Sequence, residues 1–387
     1  MKNPLRKRFF RELREEIGKY LVVFILMVAT IGFVSGFLVA DGSMLTAYNN
    51  SFQKYNIEDG KFETEEKIYK NQQEDIEKKG VTLYENFYVE KALLNGTTLR
   101  IFKNRTKVDK VCLMKGKLPE KTGEIAIDRM YADNNKLSVG DSLQSGKRKW
   151  KITGLVALSD YSALFQNNND TMFDAVKFGA AVVTEEEFSS FNQSQLVYNY
   201  AWTYIHKPKT EAQEKKKSED FMEELSKDVT LEEFVPQYLN QAIHFTGDDM
   251  GGDRAMIIVL LYIVIAIMAF VFGITTSNTI RKEAGVIGTL RASGYTKNEL
   301  MRHYMFMPLL VTFIGAIVGN LLGYTVFKNV CADMYYGSYS LPTYVTLWNA
   351  EAFLLTTVIP VFIMFVVNYA ILHRKLKLSP LKFLRRD

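Results

Sequence analysis

Residues 20–40 read YLVVFILMVATIGFVSGFLVA, without a single charge. As a helix this stretch is about 30 Å long, which matches the hydrocarbon core of a bilayer. Three more such stretches crowd the C-terminal third, at Ala255–Ile274, Met307–Phe327 and Ala352–Leu372. Residues 41–254, between the first and the second, are polar and numerous enough to form a folded domain. The spacing predicts an α+β integral membrane protein: four transmembrane helices, with one large mixed α/β extracytoplasmic domain between the first and second.

Positive charge sets the orientation. Segments 1–19, 275–306 and 373–387 together hold 18 Lys and Arg against 6 acids, whereas the loop 328–351 has only Lys328. Short segments rich in Lys and Arg stay cytoplasmic, so both termini and the 275–306 turn are expected inside. The domain at 41–254 holds 29 basic and 35 acidic residues. The overall charge of +5 is therefore no nucleic-acid footprint, and no nucleic-acid partner is expected. The basic segments lie where anionic lipid headgroups would meet them, which makes membrane lipid an expected partner.

Residues 20–40 exceed the apolar length of a signal peptide and follow a long basic flank, so the span is expected to be retained. Leu5, Phe9, Phe10, Leu13 and Ile17 share one helical face behind Asn3 and Pro4. That pattern predicts a cytoplasmic interfacial helix over 1–19, separate from the span at 20–40.

Two cysteines, Cys112 and Cys331, are too few for a disulfide framework. The four histidines are scattered without metal-ligand spacing, and no metal site is expected. The chain has no nucleophile elbow and no phosphate-cradling G-x-x-x-x-G-K-[ST] loop, so no catalytic residues and no cofactor of its own are expected. The acidic clusters Glu185–Glu187 and Glu232–Glu233 read as solvated turns. The spans lack ionisable residues in their interiors, which disfavours a channel or secondary transporter. Asn320 and Asn368 are their most polar interior groups, placed to bind helix to helix.

Small residues recur every fourth position at Gly32, Gly36 and Ala40, and again at Gly315, Gly319 and Gly323. Both ladders permit close backbone approach, either within one bundle or across a homodimer seam.

The turn at 275–306 carries the densest local code. The second span is expected to run on as a helix to Arg291 or Ala292, with Gly294 as its stop. Thr296 and Glu299 form a capping box, and Tyr295 with Leu300 forms a hydrophobic staple. A sharp helix–turn–helix results.

The run Arg281–Thr296, RKEAGVIGTLRASGYT, resembles the RxxEIGxLRAxGxS/T signature of FtsX-like and MacB-like permeases, with Ala284 where the family usually has a larger aliphatic residue. Residues 115–158, from KGKLPEKTGEIAID to WKITGLVAL, are similar to the MacB-like core domain, and Ser379–Arg386 resembles the family's usual ending. The resemblance implies the non-catalytic membrane subunit of a mechanotransmitting ABC transporter in a bacterial plasma membrane. A separate ATPase subunit would bind ATP, and a second permease copy or a related permease would complete the assembly. Arg281, Glu283, Gly285, Arg291, Gly294, Thr296 and Glu299 become the ATPase-coupling surface. The implied cargo is a peptide, lipid or drug-like molecule. Control of a cell-wall hydrolase or a peptide-sensing kinase is the alternative within the same family.

Within the outer domain, 41–57 reads as a stalk helix continuing the first span, and 81–156 as a β-rich core turned by Gly140-Asp141. Residues 160–174 read as an Asn-rich loop, 211–226 as an amphipathic helix, and 230–254 as a second stalk. The loop 328–351 offers Tyr335, Tyr336, Tyr339, Tyr344 and Trp348 as anchors at the bilayer boundary.

Overall fold

The computed structural model describes residues 4–377. The side chains of residues 4–13, 15 and 16 and the segment Ser379–Arg386 lie outside the described residues. Among the described residues, four helices are long and apolar enough to cross a membrane. The chain folds as two compact units, one of residues 43–251 with 333–345, the other helical and built from the remainder.

The first unit is built on an eleven-stranded mixed sheet. Its strands are β1 (Gly60–Thr64), β2 (Val81–Glu85), β3 (Tyr88–Ala92), β4 (Thr98–Lys103), β5 (Cys112–Gly116) and β6 (Glu124–Asp128). They are followed by β7 (Ser142–Ser145), β8 (Arg148–Ala157), β9 (Phe178–Val183), β10 (Leu196–Tyr204) and β11 (Leu231–Pro236). The order is β11-β1-β10-β3-β4-β9-β6-β8-β5, with β2 on β10 and β7 on β8. The β4–β9 and β6–β8 pairs are parallel and the others antiparallel. β8 shows why the sequence folds this way: Lys149 and Lys151 face water while Trp150 and Ile152 are fully buried. The expected turn before β7 stands at Gly140, whose φ of +106° suits glycine, and the Asp141 carboxylate accepts from the Ser138 amide at 2.8 Å.

The segment after β8 is irregular, as expected of a loop, but its first half is covered. Residues 159–165 are buried, and two arginines reach into them. Arg105 pairs with both carboxylate oxygens of Asp160, both side chains being 4% exposed. Arg100 donates to the Tyr161 hydroxyl and the Gln166 carbonyl, each at 2.8 Å. Ser162 Oγ donates at 3.0 Å to the Ala242 carbonyl, and the Ser340 amide donates to the Ser162 carbonyl at 2.8 Å. A charge this deeply buried costs several kcal/mol unless it is paired, so the fork geometry is what makes the site tenable.

Residues 333–345 belong to the sheet-bearing unit. Arg129 donates to the Tyr336 and Tyr339 carbonyls at 2.7 Å each, and Tyr339 is buried against Phe173 and Phe245. Ser340 Oγ donates to the Asp128 carboxylate. Trp348, outside this segment, is 68% exposed.

Of the helices, α1 (Pro4–Lys54) is unbroken, so no interruption near residue 19 separates an interfacial helix from a span. Short helices α2 (Lys70–Glu77), α3 (Arg129–Asn134) and α4 (Glu185–Ser189) and the amphipathic α5 (Glu211–Leu225) decorate the sheet unit. The return from that unit runs through β11 before α6 (Gln241–Lys282) begins, and is therefore a strand followed by a helix. Then come α7 (Ala284–Ala292), α8 (Lys297–Leu322), α9 (Lys328–Ser338), α10 (Ala350–Phe353) and α11 (Ile359–Lys375). π-helical turns at Gly323–Phe327 and Leu354–Val358 join α8 to α9 and α10 to α11. Both cysteines are free and buried.

Inside the helical unit the two glycine ladders face each other. A Cβ on Gly319 would lie 2.8 Å from Ile31, one on Gly323 2.8 Å from Ser35, and one on Gly32 3.3 Å from the Gly319 carbonyl. Beside this contact Asn320 accepts from Ser35 Oγ at 2.8 Å and Thr356 Oγ1 at 3.0 Å, and donates to Thr357 Oγ1 at 3.0 Å. Asn368 accepts from Thr276 Oγ1 at 3.3 Å. These amides join α1, α6, α8 and α11 through hydrogen bonds that have no water to compete with them.

Two outcomes are expected. A Cβ on Gly36 would sit 2.5 Å from Phe327 Cβ and 2.7 Å from the Lys328 amide, whereas one on Gly315 meets Met27 at 3.4 Å and Phe24 at 3.7 Å, ordinary contact distances. Gly36→Ala should lower the melting temperature of the purified chain. Gly315→Ala should leave it unchanged or raise it, since alanine is favoured over glycine in a helix by about 1 kcal/mol. The second concerns pH. Burial, and then the charge of Asp160, raises the Asp109 carboxyl to about 7, and burial raises Asp128 to about 6. Unfolded aspartate titrates near 3.9, so between about pH 4 and 7 the folded state holds protons that the unfolded chain releases. Thermal melts should therefore show stability falling as pH rises through that window, and Asp109→Asn should weaken the dependence.

Candidate functional site

The elbow that reverses the chain between α6 and α8 is assembled from local signals. α6 ends at Lys282, and Glu283, with φ −95° and ψ 12°, interrupts the helix that was expected to run on to Arg291. Amide bonds continue on both sides of it, from Glu283 to Thr279 and from Ile287 to Glu283. The Glu283 carboxylate accepts from the Tyr304 hydroxyl at 2.5 Å, which ties the kink to α8.

α7 closes on Gly294 at φ +96°, a left-handed position that a residue with a Cβ occupies only at a cost. The Gly294 amide donates to the Arg291 carbonyl at 3.2 Å, and the Tyr295 amide to the Leu290 carbonyl at 3.1 Å. Together these bonds make a Schellman stop. α8 starts on Thr296, whose Oγ1 accepts from the Glu299 amide at 3.3 Å while Glu299 Oε2 accepts from the Thr296 amide at 2.8 Å. Both halves of the capping box are present.

Beneath the elbow lies an apolar cluster of Ile280, Ala284, Ile287, Leu300, Tyr304, Met305, Leu372 and Leu376, with Tyr295 packed on it. The cluster joins α6, α7, α8 and the end of α11. Arg291 adds a hydrogen bond to the Leu376 carbonyl at 3.4 Å. Arg281, residues 292–294 and residues 296–299 are exposed, and a Cβ on Gly285 would meet open space. One face of the elbow is thus welded to three long helices while the other is open to a partner.

Arg281, Glu283, Gly285, Arg291, Gly294, Thr296 and Glu299 all lie in this elbow. Gly32, Gly36, Gly315, Gly319 and Gly323 lie instead where α1 packs on α8 and on the π-helical turn that follows it, Gly36 facing Phe327 and Lys328. Sequence reasoning missed Tyr304, Leu372 and Leu376, although their spacing of four from Leu300 and from each other was a helical-face signal. Among the described residues no group of three or more His, Cys, Asp or Glu side chains is placed to hold a metal ion.

Residues 258–376 match the protein family described as FtsX-like permease C-terminal. The match contains the whole elbow, and the resemblance to FtsX-like permeases is borne out over this part of the chain. Similar solved structures include the periplasmic region of MacB from Actinobacillus actinomycetemcomitans. It is 11% identical, covers 44% of this chain and 86% of that one, and has a TM-score of 0.28. The extracellular domain of the noncanonic ABC-type transporter YknZ from Gram-positive bacteria is 10% identical, covers 45% and 98%, and has a TM-score of 0.26. No curated protein matches.

The elbow's stability can be tested through its caps. Glu299→Gln preserves the capping box and should leave the melting temperature unchanged, whereas Thr296→Ala should cost about 1 kcal/mol. Gly294→Val should cost more than either, because valine in the left-handed region is strained by about 1–3 kcal/mol. A melt series in which all three variants behave alike would contradict this assignment.

Proposed function

We propose that this permease couples ATP hydrolysis by a separate ABC ATPase subunit to movement of its sheet-bearing unit. The observation that carries the reading is the elbow's two-sidedness: an exposed cap surface on one side, and on the other a fully packed cluster that grips α6, α8 and α11. A push on residues 281–299 would pass into this buried cluster, and close-packed interiors transmit displacement. The helices that receive it include α6, which begins at Gln241 inside the sheet unit.

In this reading the elbow and both termini are cytoplasmic, as the distribution of Lys and Arg requires. ATP belongs to the partner, and the functional unit contains two permease chains, identical or related. The cargo is a peptide, lipid or drug-like molecule handled on the far side of the membrane, and mechanical work on the outer unit replaces a polar transport path through the bundle.

The test uses the full chain reconstituted with its ATPase. Gly294→Val or Thr296→Pro should abolish cargo-stimulated ATP hydrolysis while basal hydrolysis and membrane insertion persist. Stimulation equal to that of the unaltered chain in both variants would reject the elbow as the coupling element.

A further inference from the structure

A groove of about 640 Å³ runs between α6 and α11, lined by Phe270, Gly273, Ile274, Ser277, Asn278 and Arg281 from α6 and by Ile371, Arg374 and Lys375 from α11. Its residues recur at helical spacings of three and four, so each helix gives it one continuous face. From residue 270 to 281 the groove extends along the axis by about 16 Å.

The composition changes in order along that length. Phe270, Gly273, Ile274 and Ile371 form an apolar end, Ser277 and Asn278 a polar middle, and Arg281, Arg374 and Lys375 a cationic end. Gly273 opens the floor: a Cβ there would lie 2.2 Å from Ile371 Cδ1. No carboxylate among the described residues pairs with Arg281, Arg374 or Lys375. The three cations converge on one groove at the end of two bilayer-length helices, and like charges gathered without a counter-charge repel unless an anion joins them.

We propose that this groove is a binding site for an anionic phospholipid of the adjacent leaflet, with the phosphate among Arg281, Arg374 and Lys375 and an acyl chain along Phe270 and Ile274. The order apolar, polar, cationic matches the order chain, ester, phosphate in such a lipid. Basic recesses between helices at a membrane surface hold anionic headgroups by the same physics. A second polypeptide in the groove would have to bring acidic groups into register with the three cations, and this chain offers none in its own spans. Ile280 and Leu372 of the apolar cluster are the chain neighbours of Arg281 and Ile371 in the groove, so an occupied groove would stiffen the base of the elbow. That consequence rests on the coupling role proposed above, whereas the binding itself does not.

The experiment measures lipid affinity, independent of ATP turnover, with the full-length chain in detergent titrated with fluorescent phosphatidylglycerol or phosphatidylcholine. Three variants accompany it: Arg374→Gln/Lys375→Gln removes two of the groove's cations, Ser277→Trp fills the groove at unchanged charge, and Lys297→Gln/Arg302→Gln removes two cations elsewhere in the helical unit. The unaltered chain should prefer phosphatidylglycerol. The first two variants should lose about tenfold or more in its affinity, as expected for two lost charge contacts or a blocked site, and the third should not. Equal losses in both charge variants would mean diffuse attraction and overturn the proposal. So would unchanged binding by Ser277→Trp, which also decides the matter if the double variant misfolds. Displacement of the lipid by millimolar inorganic phosphate would assign the site to a free anion and overturn the lipid assignment.

Discussion

The left-handed residue Gly294, caught between a Schellman stop and a capping box, fixes where the chain reverses, and the rest of the helical unit is arranged around that reversal. Without it α7 would run past its neighbours, and Leu300 would not fall onto Ile287 and Leu372. The Schellman and capping-box bonds satisfy backbone groups that the helix ends would leave orphaned. The turn is therefore rigid for reasons local to a dozen residues, and its apolar underside then extends that rigidity into three long helices.

A second constraint holds the bundle. Close approach of α1 and α8 demands the absence of side chains at Gly32, Gly319 and Gly323, and the buried amide of Asn320 supplies polar bonds beside them. Dispersion between backbones in contact and hydrogen bonds without competing water are the forces available when the solvent is hydrocarbon. The sheet-bearing unit obeys the opposite regime. There, apolar burial dominates, and the Arg105–Asp160 pair is tolerated because two parallel hydrogen bonds join it, although Arg105 Nε is left buried without a partner.

The features legible in the sequence were those coded by neighbours in the chain. The capping box at Thr296, the stop at Gly294, the turn at Gly140 and the apolar lengths of the spans each depend on residues a few positions apart. The features that escaped depend on partners far away. Nothing near Asp160 announces that Arg105, fifty-five positions earlier, will bury it. Nothing near residues 333–345 announces that Arg129, some two hundred positions earlier, holds the Tyr336 and Tyr339 carbonyls. The glycine ladders were visible as ladders, but which ladder met which required the fold. The interruption at Glu283 was hidden, since the partner of its side chain, Tyr304, lies on the next helix.

The account's central claim is that the exposed face of the elbow receives an ATPase. The most direct measurement places a photo-reactive amino acid at Ala292, which is exposed, and illuminates native membranes with and without ATP. A cross-link to an ATP-hydrolysing subunit, with a yield that changes with nucleotide, is the expected result. Adducts to lipid or to the chain itself alone, indifferent to nucleotide, would contradict the claim.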